Sequence, residues 1–137
     1  MNIMDLFALA DEKRIPVDFF RMGYAQSLSV QDKDKRCYIA LDLTTFEGAS
    51  DLKVHFAHEL GHCMSGGFYT RAADALTRRK AEAKADAWAI ERLLPKDEFL
   101  RRMGEIDCDP HDVAEHFGVP VDFLHAAVEH YARKIQQ

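Results

Sequence analysis

The stretch VHFAHELGHCMSGG, residues 54–67, decides how this chain is read. It sets His58 and His62 four residues apart, with Glu59 directly after the first. On an α-helix, residues i and i+4 project from one face, one turn apart, so both imidazoles can reach the same metal ion. Glu59 points about 100° away from His58, beside such an ion rather than at it. Two neutral nitrogen ligands and a carboxylate within reach of a water are what hydrolytic zinc chemistry requires. A buried helix with two incidental histidines would spell the same five letters, so the rest of the chain has to separate the two readings.

A catalytic zinc needs a third protein ligand and an open fourth position. His55 is nearest, but it lies seven positions before His62, about 10.5 Å along the helix, too far for two ligands of one ion. Cys63 lies off the ligand face and reads as a packed thiol. The second helix, KAEAKADAWAIERLLP at 80–95, answers better. On a helical wheel Glu82, Asp86, Ala89 and Leu93 share one face with Ala85 beside them, opposite Lys80, Lys84, Ala87 and Glu91. Two carboxylates on the apolar side call for a cationic partner. Glu82 is therefore the predicted third zinc ligand. Asp86, one turn on, is predicted to accept the second N–H of a ligand histidine and fix its orientation. The competing reading, a salt-bridge face with Arg or Lys, leaves the position of HELGH without a purpose.

HExxH followed at this distance by ExxxD is the ligand pattern of the gluzincin type of metallopeptidase. The longer strings HFAHELGHC, GGFY and AEAKADAWAIERLLP, with the tail PHDVAEHFGVPVDFLHAAVEHY, resemble the ImmA/IrrE family of metallopeptidases. Members of that family carry E-x-x-A-D/N-x-aromatic-A, then leucines and a proline, after HExxH. The resemblance covers roughly residues 36–131 and is most specific in its two central motifs. It implies a zincin-like core, one zinc ion per chain, and cleavage of a helix-turn-helix repressor encoded beside the peptidase on a phage or mobile element. In that reading His58, His62 and Glu82 hold the metal and Glu59 is the general base. Tyr69 and His55 are candidates for the second oxyanion donor, and spacing does not choose between them. A strand at 36–42, if it lies at a sheet edge, would offer an extended substrate a backbone to pair with.

Two rivals come from other classes. The tail DVAEHFGVPVDFLHAAV has the helix–glycine–helix form of a DNA-binding motif. Residues 105–137, however, hold seven acidic side chains against Arg133 and Lys134, a net of 2 − 7 = −5, which suits a phosphate backbone poorly. The other rival is a zinc-binding regulatory or sensor protein that acts by protein–protein binding with little or no proteolysis. Glu59 argues against it, because metal binding does not need that residue.

The 137 residues are 47% hydrophobic and 30% charged, which suits one domain with a real core. The expectation is a single domain over 1–137, with strands in about 15–45 and helices in about 50–135. A net charge of −5 gives no footprint for nucleic acid or an anionic membrane. The first sixteen residues lack a signal peptide's basic start and cleavage site, and no run approaches the ~20 apolar residues of a membrane span. Three cysteines without a CxxC pair predict free thiols in a reducing, cytoplasmic compartment.

The expected fold is α+β: a small, mostly antiparallel sheet, an HExxH helix, and a helical C-terminal half. Residues 2–13 read as a helix stopped by Ile15-Pro16. Residues 17–22, 25–30 and 36–43 read as extended, with QDKDK as a hairpin loop between the last two. Ser50 reads as the N-cap of the HELGH helix and Gly66-Gly67 as its end. Later helices are predicted over 80–95, from Pro95 to Gly104, from Asp109-Pro110 to Gly118, and from Pro120 to about Arg133.

Overall fold

A computed structural model of the chain describes residues 1–136. Helix α1, Ile3–Glu12, starts at a reciprocal capping box in which Asn2 and Asp5 satisfy each other's backbone N–H. Three short strands follow: β1 (Val17–Phe19), β2 (Ser27–Gln31) and β3 (Cys37–Leu41). Five helices complete the described residues: α2 (Ala49–Ser65), α3 (Ala75–Leu93), α4 (Lys96–Met103), α5 (Pro110–Phe117) and α6 (Val121–Ile135). The protein is α+β, as the sequence predicts.

The sheet has the order β1-β3-β2. The β2–β3 hairpin is antiparallel, with Ser29 opposite Ile39, whereas β1 runs parallel to β3. The sheet is therefore mixed, and β3 lies at its centre rather than at an edge. The free edge facing α2 belongs to β2. The parallel pairing needs a crossover: residues 20–36 supply it, with 20–26 carrying the chain across to β2 and β2 returning it to β3. Asp42, 2% exposed, holds that crossover: its carboxylate accepts from the Met22 N–H as well as from the N–H and hydroxyl of Thr44. These bonds, the Thr44 hydroxyl first, keep its pKa below the usual carboxylate value.

Helix α2 is the axis of the fold. Phe56, Ala57 and Leu60 are fully buried on its inner side, against Leu6, Leu41, Ala89 and Leu93 of the surrounding elements. Each large apolar side chain so buried stabilises by about 1.5–3 kcal/mol. The N-cap of α2 is Gly48, not Ser50, which lies inside the first turn. Gly66 ends the helix at φ 70°, a left-handed conformation that glycine adopts without steric cost. Helix α3 begins five residues before the predicted start, because Asp74 caps it by accepting from the Thr77 N–H.

One expectation about the thiols is overturned. Cys37, first in β3, and Cys63, in the last turn of α2, form a disulfide with Cα atoms 5.8 Å apart. They are 26 residues apart in sequence, and only the packing of the hairpin on α2 brings them together. Closing a loop of that size stabilises by about 3.5 kcal/mol in the chain-entropy picture. Cys108 is free. Among the described residues no helix is long and apolar enough to cross a membrane.

Candidate metal centre

The centre is built where α2 and α3 touch most closely. His58 and His62 stand one turn apart on α2, their rings edge to face at 4.8 Å. Glu82 on α3 brings one oxygen, Oε2, to 2.8 Å from His58 Nε2 and 3.3 Å from His62 Nε2. The two Nε2 atoms are 3.2 Å apart. Ligands at ~2.0–2.1 Å from a tetrahedral zinc stand about 3.3–3.4 Å from one another, so these three atoms approximate one face of such a tetrahedron.

The outer ring nitrogens fix the chemistry. His58 Nδ1 is 2.8 Å from Asp86 Oδ1, and His62 Nδ1 is 2.5 Å from the Gly67 carbonyl oxygen. A carboxylate and a carbonyl can only accept, so Nδ1 carries the hydrogen in both rings. In the neutral rings both Nε2 lone pairs then face each other and the Glu82 carboxylate. Three acceptors converging on one point call for positive charge there, supplied by a proton on one ring or by a metal ion, and His58, His62 and Glu82 form a group whose donor atoms could hold one ion. The surrounding carboxylates favour positive charge at this point: burial works against a charged His58, but Asp86 first, then Glu59 and Glu82, override it and lift its pKa from 6.5 to about 9, so His58 carries a proton wherever no metal takes its place.

Glu59 lies beside this triangle and is only 7% exposed. Each of its oxygens accepts a serine hydroxyl from β2, Ser27 at Oε2 and Ser29 at Oε1, both at 2.7 Å. Sequence reasoning missed these two residues. The signal was the S-L-S alternation, which puts both hydroxyls on one face of a strand.

Tyr69 and His55, the two oxyanion candidates, both line the cleft over the centre. The Tyr69 hydroxyl donates to Glu82 Oε1 at 2.8 Å, a bond that raises its pKa above the usual phenol value. As placed, it steadies the carboxylate. His55 is half-buried, with Nε2 3.4 Å from Asp51 and its ring against Phe46. Glu82 and Asp86 are not buried as the wheel suggested: their side chains are 39% and 62% exposed, at the rim of a cleft of about 870 Å³. What brings them to the histidines is the α2–α3 contact, more than escape from desolvation.

A helix-borne HExxH facing a carboxylate on a second helix, in an α+β fold, defines the class of HExxH metallopeptidase-like proteins. The chain belongs to the IrrE N-terminal-like domain family, Peptidase M78, which it matches over residues 49–129, more than half its length. No curated protein matches it. Among solved structures it is similar to a Mycobacterium tuberculosis transcriptional regulator, at 16% identity with a TM-score of 0.60 over 88% of this chain. That likeness shows the fold alone, and the chain spans 39% of the regulator's length.

Proposed function

We propose that the protein is a zinc-dependent endopeptidase in which His58, His62 and Glu82 hold one zinc ion and Glu59 is the general base. The observation that carries this reading is the convergence of two Nε2 lone pairs and a carboxylate oxygen, with a second, separately held carboxylate alongside. Family membership supports a peptidase. The donor set of two imidazoles and a carboxylate suits zinc.

Zinc bound there would acidify water and polarise a peptide carbonyl. The chain's own residues do the rest. Glu59 takes the proton of the attacking water and passes it to the leaving amine. Ser27 and Ser29 keep its carboxylate aimed while it does so. Asp86 and the Gly67 carbonyl hold the two imidazoles with Nε2 inward. Tyr69 steadies Glu82, and His55 is the candidate nearer the strand for stabilising the oxyanion. The free edge of β2 lines the same cleft, so an extended substrate would add to the sheet beside Glu59, read first through its backbone.

The substrate we assign is a helix-turn-helix repressor encoded beside the peptidase on a phage or mobile element. This rests on the ImmA/IrrE resemblance. The second reading, a zinc-holding regulator that binds without cutting, draws on one observation: both Glu59 oxygens are already engaged by serines. Glu59→Gln separates the two. The peptidase reading expects full zinc content with cleavage of the neighbouring repressor abolished. Unchanged regulation in cells by the Gln variant would support the binding reading.

A further inference from the structure

A second cleft, of about 710 Å³, opens over the Cys37–Cys63 disulfide. Its walls carry Lys13 and Arg14 from the end of α1 and Lys35 and Arg36 from the β2–β3 turn, and no carboxylate. All four cations are exposed, and among the described residues none is in an ion pair. Asp32, at the base of the turn, accepts instead from the N–H groups of Asp34 and Arg36 and from the Tyr38 hydroxyl. Both segments that deliver the cations pass through a left-handed non-glycine residue, Arg14 at φ 57° and Lys35 at φ 64°. Such residues carry local strain that the surrounding structure has to hold.

In a chain of net charge −5, a cleft lined by four cations and no carboxylate draws anions to it, although the charge of Arg36 also acts on Asp32 at the base of the turn. Both cysteines are only partly buried, so a small molecule in the cleft meets the disulfide. The cations on the cleft walls would hold the carboxylates of an anionic thiol while its sulfur reaches the disulfide. We propose that Cys37–Cys63 is a thiol-exchange site that selects an acidic low-molecular-weight thiol. The incoming thiolate attacks one cysteine sulfur and forms a mixed disulfide with it. The Cys37–Cys63 bond breaks, and the other cysteine leaves as a thiolate that takes a proton from solvent. The protein disulfide is itself the electron acceptor, so the step needs no other oxidant. The exchange removes the covalent link between the last turn of α2, next to His62, and the first residue of β3.

The test uses the full chain carrying Cys108→Ser, purified without reductant. It is treated with glutathione and, separately, with glutathione diethyl ester, which presents the same thiol without free carboxylates. Intact mass follows the mixed disulfide. At low salt glutathione should react about tenfold faster or more, as expected for electrostatic guidance into a cleft. The preference should shrink towards unity at high salt, where exposed charges are screened. It should also be lost in the Lys35→Glu, Arg36→Glu double variant. Equal rates for the two thiols, a preference indifferent to salt, or two free thiols in the untreated protein would each overturn the proposal. The salt series needs no charge variant, so it decides even if that variant folds poorly.

Discussion

Gly61 lies against Ala85 with no room for a side chain: a Cβ at position 61 would come within 2.5 Å of the Ala85 carbonyl oxygen and 3.0 Å of its Cα. The contact is also the register of the site. Three residues before Gly61 is His58 and one after it is His62; three before Ala85 is Glu82 and one after it is Asp86. A clash at this point separates the two halves of the candidate metal centre.

Gly61→Ala should therefore lower stability despite the better helix propensity of alanine. Overpacking typically costs about 1–3 kcal/mol, partly offset by about 0.5–1 kcal/mol from removing a mid-helix glycine. Chemical denaturation should show a net loss, and zinc affinity should fall with it. A variant more stable than the parent would show that the helices are free to part here.

Asp86→Ala should leave the fold intact, since the side chain is well exposed, and weaken zinc binding roughly 10–100-fold through loss of the His58 Nδ1 partner. Competition with a chelator measures it. Unchanged affinity would mean that the helix alone orients His58.

Ser27→Ala with Ser29→Ala removes both hydroxyls from Glu59. Hydrogen bonds to a charged group are worth about 1.5–3 kcal/mol, so cleavage should slow roughly tenfold or more while zinc content stays at the parent level. Lost zinc would instead make the serines part of the frame that holds α2.

Tyr131, 1% exposed, donates to the Leu94 carbonyl at 2.6 Å and so ties α6 to the end of α3. Burial first, then the charge of Glu91, lifts its pKa from 10.0 to about 12. The raised value means the folded state prefers the neutral phenol. Its contribution is complete below pH 10 and is lost as pH rises towards 12. Tyr131→Phe leaves the Leu94 carbonyl unpaired, which should cost about 1–3 kcal/mol near neutrality. It should also flatten the alkaline decline in melting temperature. An equally steep decline in the Phe variant would place its origin elsewhere.

The juxtaposition of His58, His62 and Glu82 in the candidate metal centre was largely legible in the sequence because its parts are local. HELGH and ExxxD each lie on one helix, so a 3.6-residue period suffices to place His58, His62, Glu82 and Asp86. Gly66, as a stop, was legible for the same reason. The start of α3 was not: TRAADALTRR shows no apolar stripe, and the Asp74 cap announces itself only by its bond to Thr77. Ser27, Ser29, the Gly67 carbonyl and the Cys37–Cys63 pair were hidden because each partner comes from another element. Their positions follow from how the hairpin packs on α2. The parallel placement of β1 was hidden too, since three residues carry no pattern that specifies a partner.

The central claim is that α2 and α3 together hold one metal ion. Its most direct test is elemental mass spectrometry of the protein purified without chelator, beside Glu82→Ala. The prediction is about one zinc per chain in the parent and much less in the variant. No zinc in the parent, or an equal amount in the variant, would contradict it.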